Sequence, residues 1–239
     1  MTLLVHNILP FSNVEGIGNR CSVFLQGCDI RCVYCHNPET IALKSKDATL
    51  YEVEELANQI LAYMPFIRGV TVSGGEPTIQ AEGVKALFEL LKPHGLTCYV
   101  DTNGFFLYEK IEPLIELTDK FLFDIKGSGI GLKELCFAKK TMPELNRNFD
   151  NLKLLLEMDK VEEVRLVCIN NFYDIDETVS KICNTIKNYP VVLLKLIRVH
   201  LRGTKSKYIT NSDIPSKKRM LELEVLANKL GIHKTKVIL

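Results

Sequence analysis

Three cysteines, Cys28, Cys32 and Cys35, stand in the run GCDIRCVYCHNPET, and their C-x3-C-x2-C spacing supplies three thiolates to one small volume. A closed structural zinc site takes four ligands in a tetrahedron. An iron–sulfur cube held by three thiolates instead keeps one iron open for a further ligand, and that open iron implies chemistry. Zinc is the alternative, completed by His36 or a remote cysteine, although no spacing marks out a fourth ligand. The other five cysteines, Cys21, Cys98, Cys136, Cys168 and Cys183, sit singly in apolar or mixed segments. They read as reduced, buried, small hydrophobes.

A second cluster of polar residues follows the apolar run GVTVS: Gly74, Gly75, Glu76 and Pro77. Glycines let a backbone come close to a ligand, and the glutamate can accept hydrogen bonds from an ammonium group. The same four residues also suit a plain turn. Asp101 in DTNG and Asp124 in DIKG each follow a further apolar run, where an aspartate either caps the turn or meets a ligand.

These residues need elements to position them. Strand-like runs at Cys21 to Gln26, Gly69 to Ser73, Thr97 to Asp101, Lys120 to Ile125, Glu163 to Ile169 and Val191 to Val199 alternate with segments of helical period. The helices are expected near Leu50 to Tyr63, Ala81 to Leu91, Glu109 to Leu117, Glu144 to Asp159, Ile175 to Lys187 and Ser216 to Leu230. Consecutive strand–helix units with right-handed crossovers make a parallel sheet, either open and doubly wound or an incomplete version of the eight-unit barrel. In both, ligands gather beyond the C-terminal ends of the strands, which is where the cysteine loop, SGGEP, DTNG and DIKG fall. Residues 1–20 read as an N-terminal extension, 21–200 as six βα units and 201–239 as a C-terminal helix and tail of a single domain, 1–239.

The composition fits that organisation: 239 residues, 46% hydrophobic and 25% charged, suffice for one continuous core. A formal charge of +1 gives no electrostatic reason to expect nucleic acid or a membrane surface as a partner. The N-terminus has no basic segment followed by a long apolar run, and no stretch approaches the length of a spanning helix, so a cytoplasmic protein is expected.

Together the cysteine loop, with Tyr34 as the aromatic before the third cysteine, and the GGEP strand end resemble the radical S-adenosylmethionine (radical SAM) superfamily. A closer resemblance, to the activating enzymes of glycyl radical enzymes, rests on VEGIGNRCSVFLQGC (with Gly16, Gly18 and Arg20), YCHNPET, VTVSGGEPTIQ, VDTNGF and FDIKG. The resemblance implies a partial (β/α)6 TIM-like barrel whose three thiolates hold one [4Fe-4S] cluster, with S-adenosylmethionine chelating the fourth iron. It places Tyr34, Cys35 and His36 against the adenine and Gly74, Gly75 and Glu76 around the methionine amino group. Asp124, Ile125 and Lys126 meet the methionine end, while Arg165 and His200 line the same pocket. It further implies a sodium or potassium ion near Asp101, Thr102 and Asp124, a glycyl radical enzyme as protein substrate, flavodoxin or ferredoxin as electron donor, and a monomer.

Three departures from the pattern stand out. No ferredoxin-like insert with extra cysteines follows NPET, so a single cluster is expected. Glu15 replaces a common aspartate. The run His200, Gly203, Lys207, Tyr208 carries one residue more than the family spacing, which bears on the role of Lys207. The rival readings are a small radical enzyme resembling 7-carboxy-7-deazaguanine synthase and, from another class, a zinc-stabilised binding module.

Overall fold

A computed structural model describes residues 1–136, 141–204 and 208–239. In chain order the elements are β1 (Thr2–Ser12), β2 (Arg20–Leu25), β3 (Thr49–Glu52), α1 (Val53–Leu61), β4 (Gly69–Gly74), α2 (Ala81–Leu91), β5 (Thr97–Thr102), α3 (Tyr108–Leu117) and β6 (Lys120–Ile125). There follow α4 (Gly131–Leu135), α5 (Met142–Glu157), β7 (Val161–Cys168), α6 (Ile175–Ile186), β8 (Leu193–Arg198), α7 (Lys217–Lys229) and β9 (Thr235–Ile238). The strand order is β3-β1-β2-β4-β5-β6-β7-β8-β9, with β3 and β9 at the two ends, so the sheet is open rather than a closed barrel.

The chain packs as two compact units. The first comprises Met1–Asp29, Glu39–Thr102 and Phe106–Leu122. Its parallel strands β2, β4 and β5 run in register, Val23 beside Val72 and Val72 beside Val100. Parallel strands buried on both faces read as continuous apolar runs, and β2 and β4 are buried along nearly their whole length. Helix α1 buries Val53, Leu56, Ala57 and Ile60, one face at helical spacing.

At the start of β2, Arg20 is only 1% exposed. Its guanidinium donates to Thr71 Oγ1 (2.8 Å), Thr97 Oγ1 (2.9 Å) and the carbonyls of Ile17, Val70 and Thr97. It also lies 3.6 Å from the centroid of the Tyr99 ring. This one side chain ties the loop before β2 to the starts of β4 and β5.

The second unit comprises Ile30–Pro38, Asn103–Phe105 and Phe123–Leu239. Here β7, β8 and β9 run parallel, with Leu166 beside Leu196 and Leu196 beside Val237. Helix α6 starts at an N-cap aspartate, Asp174, which accepts from Glu177 N at 2.9 Å, and it buries Ile175, Val179, Ile182, Cys183 and Ile186.

All six expected strands form, each within about two residues of its expected bounds. Three more flank them. Residues 2–12, read as part of an N-terminal extension, form β1, which pairs antiparallel with β2 and bends at two register shifts. The start of the helix expected from Leu50 is instead β3, because Thr49, Leu50 and Tyr51 pair with Val5, Leu4 and Leu3 and the helix begins only at Val53. The third, β9, extends the parallel run from the C-terminal tail. The short helix α4 was not marked by the sequence pattern either.

Candidate metal and cofactor centre

In the first unit, the end of β2 and the GGEP segment are stitched together through the backbone. Gly75 N donates to Leu25 O (2.9 Å), Glu76 N to Gly27 O (2.7 Å), Gly27 N to Thr40 O (2.7 Å) and Cys28 N to Ile41 O (3.1 Å). The glycines serve this contact. A Cβ on Gly75 would stand 1.9 Å from Gly27 O, and Gly74 holds φ +104° with Leu25 N 2.3 Å from where its Cβ would be. The sequence reading of these glycines as a close approach to a ligand thus gains a second purpose, holding the residue before Cys28.

Two glutamines complete the frame. Gln26 Nε2 donates to the carbonyls of Glu39 (3.0 Å) and Ala42 (2.6 Å). Gln80 accepts from Leu4 N (2.8 Å) and donates to Leu4 O (3.2 Å) and Gln26 O (2.9 Å). Glu76 is buried, and its Oε1 accepts from Thr78 N (3.1 Å), Thr78 Oγ1 (2.7 Å) and Thr102 Oγ1 (2.8 Å). Ser73 Oγ donates to Asp101 Oδ2 at 3.0 Å. The ends of β4 and β5 therefore present two carboxylate–hydroxyl pairs, Glu76 with Thr102 and Asp101 with Ser73.

In the second unit, Cys35 N donates to Cys32 O at 3.1 Å, closing a turn between two of the three cysteines. Arg31 N donates to Cys136 O and Val33 N to Leu135 O, both at 2.8 Å, so the backbone on each side of Cys32 is pinned to the end of α4. The Cys32 and Cys136 sulfurs lie 3.6 Å apart. The hydrogen bond with Cys136, followed by burial, raises the Cys32 thiol well above its ordinary value.

Tyr34 is 4% exposed, and its hydroxyl has no hydrogen-bond partner among the described residues. Burial, then the neighbouring Cys32, Cys136, Tyr173 and Asp124, push that phenol well above its usual range. A neutral phenol without a partner in a buried place is a donor awaiting an acceptor. His36 and His200 stack with centroids 4.1 Å apart and planes 10° from parallel, and His36 Nε2 is 3.4 Å from His200 O. Burial, and then His200, lower the His36 pKa.

At the end of β6, Lys126 Nζ lies 2.5 Å from Asp124 Oδ2, while Ile125 between them turns into the core at 1% exposure. Asn148 on α5 donates to the carbonyls of Asn103 and Asp124, and Asn151 one turn later donates to Gly104 O at 2.9 Å. One helix face thus holds both the DTNG turn and the end of β6. Arg165 on β7 is buried and pairs with Glu163, which Lys195 on β8 also meets, at 2.7 Å. Lys207 lies outside the described residues.

Among the sequence-marked residues, Cys28, Gly74, Gly75, Glu76, Asp101 and Thr102 belong to the first unit. Cys32, Tyr34, Cys35, His36, Asp124, Ile125, Lys126, Arg165 and His200 belong to the second. Asn148, Asn151, Glu163, Lys195 and Cys136 were not marked as site residues. The i, i+3 spacing of Asn148 and Asn151 was the one sign in the sequence, since it sets two amides on one helix face.

The donor chemistry fits a thiolate-held cluster. All eight cysteines are free thiols; Cys28, Cys32 and Cys35 are partly exposed and the other five buried. Burial pushes Cys21, Cys98 and Cys168 up to about 12 and Cys183 up to about 11, the behaviour of inert core thiols. Among the described residues no three His, Cys, Asp or Glu side chains converge tightly enough for a single ion; a cube takes one thiolate on each of three irons and needs no such convergence. The partnerless Tyr34 hydroxyl is the corresponding sign of a bound polar molecule.

Residues 22–187 match the sequence model of the radical SAM superfamily. A Haemophilus influenzae protein provisionally named a glycyl-radical enzyme activating enzyme is 47% identical over 252 aligned positions, spanning 98% of this chain and 96% of its own. The pyruvate formate-lyase-activating enzyme of Clostridium pasteurianum is 34% identical over 83% of each chain. Among solved structures, a domain of a pyruvate-formate lyase-activating enzyme from Bacteroides vulgatus aligns with TM-score 0.55 at 16% identity, covering 71% of this chain and 98% of that one. That last likeness is one of fold.

Proposed function

Because this chain belongs to the radical SAM superfamily, we infer that it is an activating enzyme, one that removes a hydrogen atom from a glycine of a partner enzyme and leaves a glycyl radical there. The observation that carries this reading is the 47% identity running through nearly the whole of this chain and of the Haemophilus relative. A [4Fe-4S] cluster held by Cys28, Cys32 and Cys35, together with S-adenosylmethionine, would supply the radical chemistry that taking such a hydrogen requires.

The chain's own residues bind and orient. Cys28, Cys32 and Cys35 lose their protons to hold the cluster. Tyr34 brings a buried hydroxyl, and His36 and His200 a flat stacked surface, to the adenine side. Glu76 accepts the methionine ammonium, its carboxylate already oriented by Thr78 and Thr102. Asp124, Ile125 and Lys126 form the methionine end, with Asn148 fixing the Asp124 carbonyl. Arg165 stays in place through Glu163 and Lys195.

Asp101, Thr102 and Asp124 suit a sodium or potassium ion, a hard cation that takes oxygen ligands and would offset the cofactor carboxylate. The electron donor is a flavodoxin or ferredoxin, and the chain works as a cytoplasmic monomer. Among the described residues no helix is long and apolar enough to cross a membrane.

Anaerobic, reduced protein given S-adenosylmethionine and its partner enzyme is expected to release 5'-deoxyadenosine and to produce a glycyl doublet in electron paramagnetic resonance. Release of 5'-deoxyadenosine coupled to turnover of a small molecule, with no doublet on a partner protein, would overturn the activase reading.

A further inference from the structure

Cys136 has no place in the proposed chemistry, yet its sulfur lies 3.6 Å from that of a cluster cysteine. The pairing rests on more than the two sulfurs. Residues 31 and 33, on either side of Cys32, each donate a backbone hydrogen bond of 2.8 Å to the end of α4, to Cys136 O and Leu135 O. Two such bonds hold the Cys32 backbone alongside the Cys136 backbone as in a short ladder, independently of the side chains. Cys136 itself is fully buried, while Cys32 is partly exposed. To bond, the sulfurs need to close from 3.6 Å to about 2.0 Å, a shift of about 1.6 Å shared between two side chains.

We propose that in the cluster-free chain Cys32 and Cys136 form a reversible disulfide, with a low-molecular-weight disulfide such as oxidised glutathione as the oxidant. Cys32 sulfur attacks the glutathione disulfide, the glutathione S–S bond breaks and one glutathione thiol leaves. Cys136 sulfur then attacks Cys32 sulfur and releases the second. The two protein thiols lose two protons and two electrons in all, and these appear in two reduced glutathione molecules. The product withdraws one of the three cluster ligands. A dithiol reductant returns it. With the cluster bound, Cys32 is occupied and the bond cannot form, so the pair stores the empty loop in an oxidised, reloadable state. The disulfide is a property of the chain alone and does not depend on the activase reading.

The test uses the full chain, with its cluster and after stripping by a chelator, equilibrated in glutathione redox buffers, acid-quenched, alkylated and mapped by mass spectrometry. The stripped protein is expected to yield a Cys32–Cys136 linked peptide lacking two hydrogens, and the loaded protein none. Oxidised stripped protein should take up no iron and sulfide until dithiothreitol is added, and oxidised Cys136→Ser, which lacks the resolving thiol, should carry a glutathione adduct on Cys32 in place of the linked peptide. A linkage of Cys32 to Cys35, or of Cys28 to either, in place of Cys136 would overturn the proposal. So would the absence of any linkage in oxidising buffer, or a glutathione adduct left unresolved on Cys32 of the unsubstituted chain. The mapping of the unsubstituted chain decides the matter even if Cys136→Ser folds poorly.

Discussion

Replacing Gly75 with alanine tests whether the GGEP segment is built to hold the cluster loop. The added Cβ would stand 1.9 Å from Gly27 O, against 3.4 Å for the start of ordinary contact, so the two backbones must part by about 1.5 Å. That movement breaks the 2.7 Å bond from Glu76 N to Gly27 O and strains the 2.9 Å bond from Gly75 N to Leu25 O. Overpacking costs about 1 to 3 kcal/mol and each lost hydrogen bond about 0.5 to 1.5, so the sum is about 2 to 5 kcal/mol. Gly95→Ala is the control: its φ of +79° disfavours a side chain, whereas Gly75 has no such backbone penalty, but nothing lies within 4 Å of the added Cβ, and it should cost about 1 kcal/mol. Urea denaturation of both variants, with iron and sulfide analysis after anaerobic reconstitution, gives the comparison. Gly75→Ala should be the less stable by a clear margin and should bind less iron, because Gly27 precedes Cys28. If it matches Gly95→Ala in stability and loads a full cluster, the backbone-clamp reasoning is wrong.

Alanine at Cys28, Cys32 or Cys35 should abolish both bound iron and 5'-deoxyadenosine formation, whereas Cys98→Ala or Cys168→Ala should keep the iron; anaerobic metal analysis decides. Activity should differ among sodium, potassium and a bulky organic cation at matched ionic strength, and Asp101→Asn should flatten that difference; equal rates in all three would leave Asp101 as a turn residue bonded to Ser73. Arg20→Met should destabilise the chain by about 3 to 5 kcal/mol in denaturant titrations, since it strands the buried acceptors that the guanidinium now serves. Burial opposes ionisation of Asp213, but hydrogen bonds from Asn171 and Thr210 outweigh it and hold the carboxyl below its ordinary 3.8. Its contribution to stability is therefore full above that value and lost as pH falls through the lower folded one, and Asp213→Asn should flatten the acid limb of a stability–pH curve.

The parallel strands were legible because each is an apolar run bounded by glycine, proline or a charged residue. Lys120–Ile125, for instance, was expected at its observed bounds. Strand β1 was not, since only Leu3, Val5 and Ser12 of its residues are buried and its pairing is broken by two shifts. Strand β3 was hidden inside a helical pattern and exists only because β1 lies beside it. The cluster loop and the strand-end motifs carried their chemistry in residue type and spacing. What surrounds them did not. Cys136 lies 104 residues from Cys32, so no local pattern could join them. Likewise Asn148 acts on carbonyls 45 and 24 residues away, and Glu163 binds Lys195 from a different strand. Side chains that serve distant backbone atoms leave no periodic trace in the chain.

The carboxamide of Gln80 bears on when the molecule can be built. It substitutes for a strand neighbour, meeting both the amide and the carbonyl of Leu4, 76 residues earlier, and the carbonyl of Gln26, 54 residues earlier. A ribosome adds about 5 to 20 residues per second, so the N-terminal strand waits roughly 4 to 15 seconds for the group that completes its pairing with the cysteine loop. Until then the loop has its thiols but not its frame. Iron supplied in that interval meets the loop without this support and iron supplied afterwards meets it with the support in place, so loading is expected to follow the synthesis of Gln80 rather than precede it.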